Sequence, residues 1–449
     1  MNQIRERWPD TRMADGTRTW VGVFVVVLVL AAVLGLAAAF APTLTLAAVV
    51  GAALLAALVF KVEWVAYLVV MVAPFEDYVR VVHADVIKGL ALLLFLAWAT
   101  RRLARPDPVS LQHPVIRAIL AFFVIMLAAT ALHTNAPLGP EIVTRYAGFL
   151  GVAVVLIDLM RRGLPAANLA RAYVAACTAA AVAGIVAYLR DGGGRVGGPL
   201  EDPNDLAFFL LTALPFALAL RASARRRWVY DLAALVLLLA LAGTLSRGGA
   251  VGLLFMITFA VALRQVRPVA VAGLALVSLV GLGVAVAAVP DLVEDSLSDK
   301  SSIADQNVDD RLGLWILAGE MTARNPVLGL GPGGFATNVE EYSEETPVGV
   351  SRRIDVSHNM YLETSSEFGL LGLGALLVVL GGGGVCAFRR WRHDREPVAA
   401  ATACALVGAA AAATFLTEQY FLPVWLLAAL GAGLWPLTTP AVATPERAS

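Results

Sequence analysis

Apolar runs of 16 to 23 residues recur along this chain from Trp20 to Leu437. A helix of about 20 apolar residues crosses the hydrocarbon core of a bilayer. Lipid offers backbone polar groups no partner, so such runs cross as helices. The pattern places spans at 20–40, 43–60, 62–74, 86–100, 114–132, 143–160, 168–188, 205–222, 229–244, 248–263, 268–289, 360–388, 397–415 and 420–437. That is fourteen; the third and fourth are short, and reading them as re-entrant gives twelve. The predicted fold is all-α, a polytopic membrane helical bundle. The first run is long and followed at once by others, so it is not a cleavable signal peptide.

One long hydrophilic stretch, 308–368, breaks the pattern. Within it, 312–323 has helical spacing of apolar residues, and Asn325-Pro326 ends the run because the residue before proline resists the helical region. The organisation expected is a segment 1–19, about eleven spans in 20–289, one large loop with short helices at 290–359, about three spans in 360–437, and a Pro/Ala/Thr-rich disordered tail at 438–449.

Composition agrees. Charged residues are 15% of the chain, against about 25% in soluble domains. Cys177, Cys386 and Cys404 lie in apolar runs, at spacings that suit neither a metal site nor an obvious disulfide. The net charge is zero, but the arginines are unevenly placed. With the N-terminus inside, about 23 of the 34 basic residues face the cytoplasm, as the positive-inside bias requires. An even number of spans puts both termini there and the 290–359 loop outside. About eleven basic residues then face out against the bias, among them Arg145, Arg195, Arg247, Arg311, Arg352 and Arg353.

These outward residues hold the candidate chemistry. Arg247 stands in Thr244-Leu-Ser-Arg-Gly-Gly249 at a junction of two spans, where a guanidinium presents a planar fork suited to phosphate; the alternative is an arginine snorkelling to lipid headgroups. Arg311 opens the 312–323 helix behind Asp309 or Asp310 as cap, a position the helix dipole does not favour for a cation. The turn Gly329-Leu-Gly-Pro-Gly-Gly334 lacks the Gly-Lys-Ser/Thr ending of a nucleotide loop and reads as a plain turn. His358 sits at the mouth of a span, and imidazole suits proton transfer near neutral pH. Asn359, Glu363 and Glu367 follow at i, i+4, i+8 spacing on one face, and acids there call for a wet cavity. Arg195 and the segment 201–205 form another outer loop. Asp202 and Asp205 alone are a weak cation signal, and Asn204 or Asp205 serves as well to cap the next span.

Taken in order, Arg195…Asp-Pro-Asn204, Leu245-Ser-Arg-Gly-Gly249, Arg311-Leu-Gly-Leu-Trp315, Asn325-Pro…Gly329-Leu-Gly-Pro-Gly333 and His358-Asn-Met-Tyr-Leu-Glu363…Glu367-Phe-Gly369 resemble the O-antigen ligase and polymerase superfamily. The likeness covers roughly 190–375, and Asp202 stands where the family has asparagine. It implies a bundle like that of C-type membrane glycosyltransferases, in the bacterial cytoplasmic membrane. It implies transfer of a glycan from an undecaprenyl-diphosphate carrier to a glycan, lipid or protein acceptor, without metal or cofactor and without nucleic acid. His358, Arg247 and Arg311 would be catalytic; Arg195, Asn204, Asn359, Glu363 and Glu367 would bind substrate. A flippase or transporter competes, but it predicts ionisable residues mid-span, and almost none occur. A relative of the peptidoglycan polymerases would rely on an outer carboxylate instead.

Overall fold

The computed structural model describes residues 61–82, 86–104, 106, 111–133, 137–191, 194–200, 202–269, 273, 311–345 and 356–435. The expected spans 20–40 and 43–60, all of 268–289 but residues 268, 269 and 273, the segments 290–310 and 346–355, and the tail lie outside these. Helix α1 (Val62–Val72) runs through a 3-10 turn at Ala73–Phe75 into α2 (Glu76–Val82). There follow α3 (Val86–Ala104), α4 (Pro114–Leu132), α5 (Gly139–Arg161), α6 (Ala166–Asp191), α7 (Pro203–Ser223), α8 (Arg227–Gly243) and α9 (Arg247–Ala262). After the undescribed stretch come α10 (311–324), α11 (Gly334–Glu345), α12 (Met360–Asp394), α13 (Pro397–Ala412), a 3-10 turn at Glu418–Tyr420 and α14 (Leu422–Leu434).

Among the described residues there are helices and no strands. Five helices, α4, α5, α6, α7 and α12, are long and apolar enough to cross a membrane, and α9, α13 and α14 are shorter apolar helices. This is the architecture of a polytopic helical membrane protein. The expected bounds fall within a few residues of the helices wherever both exist; 114–132 and α4 coincide.

Helix α7 lies at the centre. Every residue from Leu206 to Ala217 is buried, as expected of a helix apolar on all sides. Pro215 is tolerated inside it, because neighbours in a bundle re-satisfy freed backbone groups. Phe122 of α4, Tyr146 of α5, Phe368 of α12 and Trp425 of α14 join these helices with ring centroids 5.5–6.1 Å apart. Tilted and edge-to-face pairs of this kind add about 0.5–1.5 kcal/mol each beyond burial. In the Gly381–Gly384 run, a Cβ at Gly383 would lie 2.8 Å from Ala428 Cα. The absence of side chains there is what lets α12 and α14 touch.

At the end of the bundle formed by the C-termini of α3 and α5, Asp158 is fully buried and held by three donors. Trp98 Nε1 and Arg102 Nη1 each lie 2.7 Å away and Arg162 Nε 3.1 Å away.

Helix α12 is broken at Gly369, whose φ of 66° and ψ of −171° no L side chain adopts readily. The glycine-rich turn docks into the break. Leu330 N–H donates to Ser366 O and Gly331 N–H to Glu367 O, both at 2.8 Å, while Leu370 N–H returns a bond to Pro326 O at 2.7 Å. A Cβ on Gly329 would overlap the Glu367 backbone, and one on Gly369 the Val327 backbone. The turn's amides thus serve the helix break, in keeping with a structural turn.

Candidate functional site

At the opposite end of α5, the residues 413–421 that join α13 to α14 form a platform. Met360 N–H, at the start of α12, donates to Ala413 O at 3.0 Å and Leu416 O at 2.9 Å. Arg311 Nη1, at the start of α10, donates to Phe415 O at 3.3 Å, and Trp315 packs its ring 5.8 Å from that of Phe415. Gly248, next to Arg247 at the start of α9, lies against Leu416; a Cβ there would be 3.0 Å from Leu416 Cγ. Three helical segments carrying Arg247, Arg311 and His358 therefore rest on the four residues 413–416.

His358 has φ 52°, a left-handed backbone unusual for a side-chain-bearing residue. Its neighbours hold it there. Asn359 Oδ1 accepts from Tyr361 N–H and Leu362 N–H, both at 3.0 Å, and so caps α12. Ser357 Oγ donates to Asn359 O at 3.0 Å. Ser357 N–H donates to Glu363 Oε2 at 2.7 Å. Burial pushes the His358 ring down to about 4, Arg311 pushes it further the same way, and Asp202 acts against them. The ring is neutral at neutral pH, with a lone pair free to take a proton.

Arg195 is fixed from two sides: Nε donates to Thr244 O at 2.7 Å and Nη2 to Asn204 Oδ1 at 2.9 Å. Asn204 N–H in turn donates to Asp202 Oδ1 at 2.8 Å. Asp202 is the N-cap of α7. This corrects the expectation of Asn204 or Asp205 as the cap: Pro203 takes the first helical position, which suits its fixed φ and missing N–H, and so the residue before it becomes the cap. Arg311 lies within electrostatic reach of Arg195, Arg247 and Asp202. Burial, then its two arginine neighbours, pull its pKa down, and Asp202 offsets them. Its buried Nε has no hydrogen-bond partner among the described residues. Arg247 is exposed as the first residue of α9, where its charge opposes the helix dipole. Crowded guanidinium groups with a spare donor have the chemistry to hold a polyanion.

The structure thus brings together Arg195, Asn204, Arg247, Arg311 and His358. Asn359 and Glu363 face inward instead. Glu363 accepts from Ser357 N–H, from Thr417 Oγ1 at 3.3 Å and from Gln419 Nε2 at 3.4 Å. Glu367 accepts from Gly333 N–H at 2.8 Å and Tyr420 Oη at 3.1 Å, and it lines a cavity of about 440 Å³ that also meets His358, Asp202 and Asp205.

Sequence reasoning missed the platform itself. Tyr420, and Arg145 whose Nε donates to Tyr420 O at 2.7 Å, tie it to α5. Glu418 is fully buried, and neither carboxylate oxygen has a partner among the described residues; burial first, then Asp205 and Asp202, hold its pKa well above the usual carboxylate range. The signal was there, a Glu418-Gln419 pair between two apolar runs, but nothing local says what it faces.

A family model described as O-antigen ligase matches residues 232–377. The matched stretch runs from α8 into α12 and takes in Arg247, Arg311, His358, Asn359, Glu363 and Glu367, but not Arg195 or Asn204. No curated protein matches the chain.

Proposed function

We propose that the chain belongs with the O-antigen ligases and polymerases of cell-surface polysaccharide assembly, on the O-antigen ligase family model that matches residues 232–377, and that it transfers a glycan from an undecaprenyl-diphosphate carrier to an acceptor hydroxyl. The acceptor oxygen attacks the anomeric carbon. The bond from that carbon to the diphosphate breaks, and the carrier diphosphate leaves with the electron pair. His358 takes the acceptor's proton. Arg247 and Arg311, with Arg195 behind them, receive the charge gathering on the diphosphate.

One observation carries this reading: three helical segments, bearing Arg247, Arg311 and His358, rest on residues 413–416. Fixed cations aimed at developing negative charge need no reorganisation as the bond breaks. A neutral imidazole beside them is in the protonation state a base requires. Guanidinium groups take the role a divalent ion would have, so the reaction is metal-independent.

The protein resides in the bacterial cytoplasmic membrane with both termini cytoplasmic and the site on the outer face. Purified protein given a carrier-linked oligosaccharide tests the reading. Transfer that is lost in Arg247→Ala, Arg311→Ala and His358→Ala supports it, and transfer indifferent to all three sinks it. A ladder of products marks a polymerase, a single addition a ligase.

A further inference from the structure

The cavity beside His358 does not end at the platform. Glu76, Arg80, Glu141 and Arg145 line both it and a second, apolar cavity of about 330 Å³. The second is a groove between α1, α3 and α5, floored by residues such as Val69, Phe95 and Val152. Phe95 is about half exposed, so the groove opens sideways, where lipid would lie around a membrane bundle. Both cavities fall in the size range of small-molecule sites.

We propose that this groove holds the hydrocarbon chain of a lipid-linked acceptor, with the acceptor's sugar in the cavity beside His358. The inference rests on the transfer reaction proposed above and names the acceptor class and its site.

Charge separates acceptor from donor. The cavity is lined by six carboxylates, Glu76, Asp77, Glu141, Asp202, Asp205 and Glu367, against Arg80 and Arg145. Arg145 is already paired with Glu76 at 2.8 Å. Such a lining offers a diphosphate no excess of cations, and its oxygens suit hydrogen bonds with sugar hydroxyls. Arg195, Arg247 and Arg311 do not line it. His358 borders the cavity and stands within electrostatic reach of Arg311. The leaving group therefore sits on one side of the imidazole and the attacking hydroxyl on the other. A chain continuing from the hydroxyl side belongs to the acceptor. The phosphate joining that chain to its sugar has cations at the rim: Lys88 lines the groove, and Arg80, 3.4 Å from Asp77 and more than half exposed, is only loosely paired.

The groove can be filled without disturbing the fold. Gly148 and Gly151 line it, and a Cβ at either meets nothing within 4 Å. Replacing a helical glycine by leucine also favours the helix. The test uses full-length protein in nanodiscs with the carrier-linked donor. The acceptor is given either lipid-linked or as the same saccharide cut from its lipid. Gly148→Leu and Gly151→Leu should raise KM for the lipid-linked acceptor tenfold or more, leaving KM for the donor and for the soluble saccharide unchanged. A polyprenyl phosphate carrying a photoreactive group in its chain should cross-link to residues 87–95 or 148–155, less so in Gly151→Leu. A rise in donor KM instead, no change in any KM, or cross-links joining the groove to residues 20–60 of the chain itself would each overturn the proposal. Absence of transfer by the unsubstituted protein would count against the reaction; the cross-linking still reads the groove.

Discussion

The Glu363 carboxylate lies 2.7 Å from the backbone N–H of Ser357, and this bond closes the loop that carries His358. The same carboxylate takes Thr417 and Gln419 from the platform. One buried acid thus couples the strained backbone of His358 to the same 413–421 platform that Arg247 and Arg311 adjoin. Glu363→Ala strands a buried N–H, which costs about 1–3 kcal/mol, and it frees the loop to move. We expect a lower Tm and a fall in kcat of about 10²-fold, the scale of a 1 Å misplacement. Glu363→Gln keeps an acceptor for Ser357 and should restore most of both. Equal losses in the two variants would mean that the charge, not the hydrogen bond, matters.

Arg247→Ala and Arg311→Ala should each lose about 3–4 kcal/mol of transition-state stabilisation, the scale of removing one preorganised oxyanion donor. Lysine should rescue poorly, since it lacks the planar fork. Single-turnover rates on folded, membrane-inserted protein measure this. Full activity in Arg311→Lys would show that a point charge suffices.

The helices were legible in the sequence because each depends on a local run of apolar residues; α4 is a case in which both bounds follow from Pro114 and the polar residues after Leu132. Arg247, Arg311 and His358 could be named as candidates from the sequence too: the two arginines because cations assigned to the outer face run against the insertion bias, His358 because an imidazole at the mouth of an apolar run suits proton transfer. What brings them together was not. Arg311 meets Phe415 across 104 positions and Tyr420 meets Glu367 across 53, and no periodicity encodes pairings at that distance. The docking of the glycine-rich turn into the break at Gly369 was hidden for the same reason: each half reads as an ordinary glycine motif until the two backbones are seen to touch.

Gly369→Ala tests that docking. The backbone conformation alone costs an L residue about 1–3 kcal/mol, and the added methyl overlaps Val327. The variant should unfold several degrees earlier and lose activity, because the turn also holds Glu367 through Gly333 N–H. An unchanged Tm would show that the helix straightens at no cost.

Under the proposed mechanism, in which Arg247 and Arg311 receive the diphosphate, transfer should survive EDTA unchanged. Activity lost with chelator and restored by Mg²⁺ would redirect the mechanism to Asp202 and Asp205.

The pH profile tests His358 most directly. A base works only when deprotonated, so the rate must fall as pH drops through its pKa. In the free protein that pKa is held to about 4 by burial and then by Arg311. The acid limb of kcat/KM should therefore lie near 4, well below the ordinary histidine range. Bound diphosphate neutralises Arg311's repulsion, so the limb of kcat should lie higher. Asp202 acts in the opposite sense, favouring the charged ring. Asp202→Asn removes that charge, and asparagine caps a helix as well as aspartate does, so α7 should stay intact. The kcat/KM limb should then move further down. Arg311→Gln should move it up, though not to the ordinary value, since burial is the larger cause and remains. A limb near 6.5 that neither substitution shifts would place the titrating base somewhere other than His358.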